Sequence, residues 1–128
     1  MNKEPIIIVA GEPNSIFLEI FFKSIETRVY KSPLIIIVSK KLLQKQMKKL
    51  GFTFKINDID NKFKDFSKLN NSKINLINID YKFNKCFEKI TDKSNKYIDE
   101  TFKTALNFIK QNNLSKFING PVSKKSFL

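Results

Sequence analysis

At 128 residues and 15.0 kDa the chain has the length of one ordinary domain, which buries about two thirds of its unfolded surface. No apolar run approaches the roughly 20 residues that a membrane span needs, and the amino terminus, MNKEPIII, lacks a signal-peptide pattern. The formal charge of +12 invites a nucleic-acid reading, but all except one of the 24 basic residues are lysine, the exception being Arg28. Base reading and tight phosphate forks favour arginine, whose planar donors bind in pairs. The lysines are also scattered, so a solvated surface is the expectation and nucleic acid is not the expected partner. A single cysteine, Cys86, cannot close an internal disulfide and fits a reducing cytoplasm. With no histidine to activate it, it reads as a small hydrophobe.

In chain order, residues 6–10 (IIIVA) form a continuous apolar run, the mark of a strand covered on both faces. From Ser15 an apolar stripe with helical spacing continues to about Val29, and Asn14 or Ser15 can cap its first turn. SPLIIIVS (32–39) repeats the strand signal, and KKLLQKQMKKLG then places Leu42, Leu43, Gln46, Met47 and Leu50 on one side of a helix stopped by Gly51. FTFKI (52–56) alternates and predicts a short strand. Residues 57–73 read as loop, with a helical turn around Phe63–Leu69. KINLINI (73–79) predicts another strand, and residues 80–93 read as irregular.

SNKYIDETFKTALNFIKQNN gives the clearest helix, with Ser94 as its cap, and SKFING (115–120) a short strand. PVSKKSFL starts a further helix, whose Phe127 and Leu128 offer apolar surface. Strands alternating with helices predict an α/β fold: three layers, α/β/α, around a parallel or mixed sheet, in one segment over 1–128 that looks incomplete. The unpaired edge of such a half-sheet predicts aggregation or a homodimer when the chain is made alone.

In open α/β sheets, ligands gather outside the carboxyl ends of the strands. Two loops qualify: Gly11-Glu12-Pro13-Asn14-Ser15 after the first strand, and Asn119-Gly120-Pro121-Val122-Ser123-Lys124 after the last. One carries a carboxylate and the other a lysine, and each leads into a helix whose free N–H groups attract anions. Such a rim suits a small anionic substrate, although Gly and Pro are also what turn chemistry alone requires. The G-x-G-x-x-G and G-x-x-x-x-G-K-[ST] patterns are absent, and zero histidines exclude Ser-His and Cys-His pairs and any histidine metal site. Asp58 and Asp60 could hold a hard cation, yet NDIDNK reads as a solvated loop.

Taken together, IIIVAGEPNSIFLEI and FINGPVSKKSFL resemble the 4-hydroxythreonine-4-phosphate dehydrogenase family of vitamin B6 synthesis. Gly11, Glu12, Pro13, Ile16 and Glu19 match the family's first strand-to-helix motif, and Gly120, Pro121 and Lys124 match its later Pro turn. Asn14-Ser15 and Phe17-Leu18 depart from it, replacing Ala-Gly and Gly-Pro.

The resemblance implies an isocitrate/isopropylmalate-dehydrogenase-like fold, of which this chain is the amino-terminal part of a longer, two-domain enzyme. It also implies an NAD- and divalent-metal-dependent oxidation of 4-phosphonooxy-threonine, followed by decarboxylation, in pyridoxal phosphate synthesis. Gly11, Glu12, Pro13, Gly120, Pro121 and Lys124 would then wall the cleft for a small phosphorylated amino acid. The family's metal-binding histidines and its Gly-His-Thr-Glu substrate segment would lie beyond Leu128. On that reading this chain carries no catalytic residue, binds neither cofactor tightly alone, and needs the carboxyl-terminal portion as its partner. A degenerate, non-catalytic homologue and a basic α/β module binding polyanions are the other readings.

Overall fold

The structure is a computed structural model that describes residues 4–13, 15–81 and 92–121, the side chains of 92–94 excepted. Strand β1 (Ile6–Val9) leads to helix α1 (Phe17–Thr27), β2 (Leu34–Val38), α2 (Lys40–Leu50) and β3 (Ile56–Ile59). A single 3-10 turn (Phe66–Lys68) joins β3 to β4 (Ile74–Asn78), and α3 (Asp92–Asn112) runs on to β5 (Phe117–Asn119). The sheet has the order β3-β4-β2-β1-β5, and every paired neighbour is parallel.

That order explains where the helices lie. The chain steps one way along the sheet from β1 to β2 to β3, then back from β3 to β4 to β5. Parallel crossovers are right-handed, so steps in opposite directions put their connections on opposite faces. Accordingly α1 and α2 pack with Ile8, Leu34, Ile36, Val38, Ile74 and Leu76 on one face. On the other, α3 and the 3-10 turn pack with Ile7, Val9, Ile35, Ile37 and Ile77. Both faces being covered, every residue of β2 is buried, and so are Leu76 and Ile77, adjacent residues that a one-sided strand would split. The three-layer α/β/α expectation holds, with a wholly parallel sheet.

The helices end where their residue chemistry dictates. Ser39 Oγ accepts the Leu42 N–H at 3.2 Å to cap α2, and Gly51 closes it in the left-handed region at φ 81°. Asn113 adopts a positive φ of 55° just after α3. Helix α1 is shorter than predicted, because Arg28 is already extended. At the sheet's amino edge the Glu4 carboxylate accepts from the Ser115 N–H and from its hydroxyl at 3.0 Å, which holds that carboxyl below its usual range.

Strand β3 lies later than FTFKI predicts, and takes in residues assigned to loop. Phe52 and Phe54 stack on one another, with ring centroids 5.9 Å apart, and both lean on Phe22 of α1, at 5.3 and 6.1 Å. The alternation marks an extended segment that fills the gap beneath α1 and α2. Pairing starts only at Ile56, opposite Ile74. The predicted helix after Pro121, Cys86 and most of the predicted irregular stretch lie outside the described residues. Helix α3 begins at Asp92, so Ser94 lies within its first turn and is not its cap.

Candidate functional site

β1 and β5 are parallel neighbours in register, Val9 beside Asn119, so their following loops leave the sheet side by side. The two motifs, more than a hundred residues apart in sequence, are stapled through their backbones. The Gly120 N–H donates to Val9 O at 2.7 Å, and the Glu12 N–H donates to Pro121 O at 2.8 Å. Close approach needs bare glycine on both sides. A Cβ on Gly11, whose φ is +79°, would lie 2.5 Å from Pro121 O, and one on Gly120 would lie 2.0 Å from Ala10 O. Gly11, Glu12, Pro13, Gly120 and Pro121 are therefore brought together at the carboxyl edge, whereas Lys124 lies outside the described residues.

Glu12 does not sit on the rim as its sequence context suggests. Its side chain is only 7% exposed and belongs to the interior below the turn. The turn itself is held from inside: Ser15 Oγ donates to Glu12 O at 2.8 Å and accepts the Phe17 N–H at 3.3 Å. From α2, Gln46 Nε2 donates to Pro13 O at 3.1 Å. Gln46 is 1% exposed, and its Oε1 has no hydrogen-bond partner among the described residues. Its position on the apolar side of α2 was legible in the sequence, and a polar residue on that stripe is the signal that it serves a buried carbonyl. Gln46→Leu leaves Pro13 O buried without its donor, and is expected to lower stability by about 1–3 kcal/mol. Urea unfolding reads this as a shifted midpoint at unchanged slope.

A second crevice follows from topology. The connections after β2 and β4 depart to opposite faces, which makes their carboxyl ends a switch point of the kind where ligands collect. Here the protein fills it. The Ser39 N–H donates to Tyr97 Oη at 2.8 Å, and the Lys40 N–H donates to Asn78 Oδ1 at 2.8 Å. Tyr81 packs against Tyr97 with ring centroids 4.7 Å apart and the rings tilted by 36°, and burial pushes the Tyr97 hydroxyl well above its ordinary value. Asp58 stands on β3, not in a loop, and takes the Lys40 ammonium at 2.7 Å, while Asp60 Oδ1 accepts the Lys62 N–H. Among the described residues no group of three or more His, Cys, Asp or Glu could hold a metal ion. No helix among the described residues is long and apolar enough to cross a membrane.

Residues 30–128 match the family described as "Pyridoxal phosphate biosynthetic protein PdxA". The chain belongs to that family. The matched stretch takes in Gly120, Pro121 and Lys124 but begins after the Gly11–Pro13 turn. No curated protein matches the chain in sequence. Among solved structures it is similar to a 4-hydroxythreonine-4-phosphate dehydrogenase from Burkholderia phymatum, with TM-score 0.80 and 18% identity over 98% of this chain and 38% of that one. It is similar too to a Salmonella typhimurium protein provisionally assigned the same name, with TM-score 0.79 and 17% identity over 98% of this chain and 39% of that one. A third, from Klebsiella pneumoniae, has TM-score 0.70 and 14% identity, over 96% and 38% of the respective chains. At such identities these likenesses show the fold, and they extend it across the Gly11–Pro13 turn that the family match omits. The chain spans about two fifths of their length.

Proposed function

We propose that this PdxA-family chain forms the amino-terminal part of a dehydrogenase acting on 4-phosphonooxy-threonine in pyridoxal phosphate synthesis. The observation that carries the reading is the backbone staple between Gly11–Pro13 and Gly120–Pro121, which joins two distant motifs at the carboxyl edge where α/β enzymes place substrates. What the described residues do there is structural. They present two adjoining turns as a rigid wall, with Gln46 and Ser15 holding the first turn from behind. In the whole enzyme NAD would accept hydride from the substrate's secondary alcohol, and a divalent ion would polarise that oxygen. The described residues fit neither group: they hold no acidic or sulfur cluster for a metal, and the sequence has no histidine and no dinucleotide fingerprint. No step is therefore assigned to them. Lys124, the third residue after Pro121, remains the candidate cation for the substrate's phosphate or carboxylate.

Two assays test this. The protein at its native length is expected to reduce NAD with 4-phosphonooxy-threonine and a divalent metal, and residues 1–128 alone are expected to give none above an enzyme-free blank. A native-length protein without turnover favours the non-catalytic homologue, in line with Asn14 and Ser15 where the family motif has Ala-Gly. Turnover by the 128-residue chain would overturn the division of labour.

A further inference from the structure

Alternation of apolar and polar residues fixes a strand's register where one face is buried. A strand covered on both faces has no such pattern. Every residue of β2 is apolar and buried, so sliding it past β4 would expose nothing. The discrimination has to come from a polar group, and β4 carries one. Asn75 is 2% exposed, lies beside Ile35 of β2, and shares the α3 face with Ile77. Its carboxamide is satisfied three times. Asn75 Nδ2 donates to Leu34 O and to Asn70 O, each at 3.0 Å. Asn75 Oδ1 accepts from its cross-strand partner on β3, Asn57 Nδ2, at 3.0 Å. A second carboxamide grips the start of β2 from the same connection. The Leu34 N–H donates to Asn71 Oδ1 at 2.9 Å, while Asn71 Nδ2 donates to Ser32 O at 2.8 Å and to Tyr30 O at 3.2 Å.

We propose that Asn75 is a register lock for the β3-β4-β2 side of the sheet, with Asn57 and Asn71 as its anchors to the strands on either side. In the observed alignment all of its bonds are made at once. Sliding β4 by one residue turns Asn75 to the α1 and α2 face, and sliding it by two takes it away from Leu34 O and Asn57. In both cases the carboxamide stays buried without those partners, which is a penalty no aliphatic residue of β2 would feel. The lock adds little net stability, since desolvation of the amide offsets much of what its bonds return. What it supplies is a gap between one alignment and the others. The effect reaches the carboxyl edge. At the far end of the same ladder the Ile79 N–H donates to Val38 O at 3.1 Å, and the Lys40 N–H donates to Asn78 Oδ1 at 2.8 Å. A two-residue slip would carry Asn78 about 6–7 Å along the strand and break both bonds. The lock acts in the same way whatever reaction the whole protein catalyses.

Isoleucine-methyl NMR on the protein at native length reads the alignment directly, because Ile35, Ile37, Ile56, Ile59 and Ile77 lie on the three strands concerned. The unaltered protein is expected to give a single signal for each of these δ-methyl groups. Asn75→Leu, close in shape but apolar, is expected to keep Tm within about 5 °C. It is also expected to show second signals for Ile35, Ile37 and Ile77, with other alignments populated to about 10% or more. Ile77→Val, which removes one methylene and no polar contact, is the control and is expected to leave the remaining signals unsplit. Asn57→Ala removes one donor from a part-buried position on the outer strand, and is expected to fold and to split Ile56 and Ile59 alone. Single signals in both asparagine variants would overturn the proposal. So would an Asn75→Leu protein with single signals and a Tm lower by about 10 °C or more, since the carboxamide would then supply stability and not alignment. Should Asn75→Leu not fold, Asn57→Ala decides: splitting confined to β3 supports the lock, and unsplit signals overturn it.

Discussion

Gly120→Ala is expected to destabilise the protein by about 3 kcal/mol or more, at or beyond the top of the usual range for overpacking. The added Cβ would lie 2.0 Å from Ala10 O, 2.7 Å from the same carbonyl's carbon and 2.9 Å from Phe17 Cγ. Two of those three atoms are backbone, so a side-chain rotation cannot relieve the clash. Moving the loops apart instead breaks the Gly120-to-Val9 and Glu12-to-Pro121 bonds that join them. Gly51→Ala is the control. Gly51 is left-handed at φ +81° but has nothing within 4 Å of an added Cβ, so the cost there is the conformational strain of about 1–2 kcal/mol. Thermal unfolding of the two variants separates contact from conformation: if Gly120→Ala costs no more than Gly51→Ala, the junction is looser than the structure shows. Because Gly120 lies at the candidate cleft, the same substitution in the native-length enzyme is expected to depress turnover as well as Tm.

Phe22→Ala is the second large effect, at about 3–5 kcal/mol. Phe22 is fully buried on α1 and touches the rings of Phe21, Phe52 and Phe54, at centroid distances of 6.0, 5.3 and 6.1 Å. Its removal takes the central ring from a cluster that ties α1 to the extended segment before β3. The neighbours are stacked aromatics that cannot collapse into the space without losing their own contacts, so the cavity persists. Phe63→Ala is the comparison, since Phe63 is only half-buried and has one ring contact among those described, to Phe66 at 6.1 Å. Equal midpoints for the two variants in urea would mean that the cluster around Phe22 is not part of the cooperative core.

How far the sequence could be read depended on whether a pattern had one physical cause or two. The unbroken apolar runs of β1 and β2 had one, burial on both sides of a parallel sheet, and both strands fall where the pattern puts them. Gly51 as the stop of α2 had one as well. The alternation in FTFKI had two, since an extended segment wedging aromatic rings under helices alternates as a paired strand does, and β3 is accordingly displaced toward Asp58. Glu12 had two again. A carboxylate in a turn before a helix reads as a rim group, whereas the fold turns it inward to 7% exposure.

The residues of this chain, taken alone, determine its class and its family, because strand and helix periodicity and the Gly-Glu-Pro and Gly-Pro turns are local properties that need no partner to be recognised. Only the tertiary structure decides that the two turns touch. That depends on β5 pairing with β1 after the chain has reversed direction at β3, a long-range choice made by crossover handedness and by which faces remain to be covered. The same reversal decides that Gln46, Tyr97 and Ser39 act at the carboxyl edge and that the flank of α1 beside β5 remains apolar and open among the described residues.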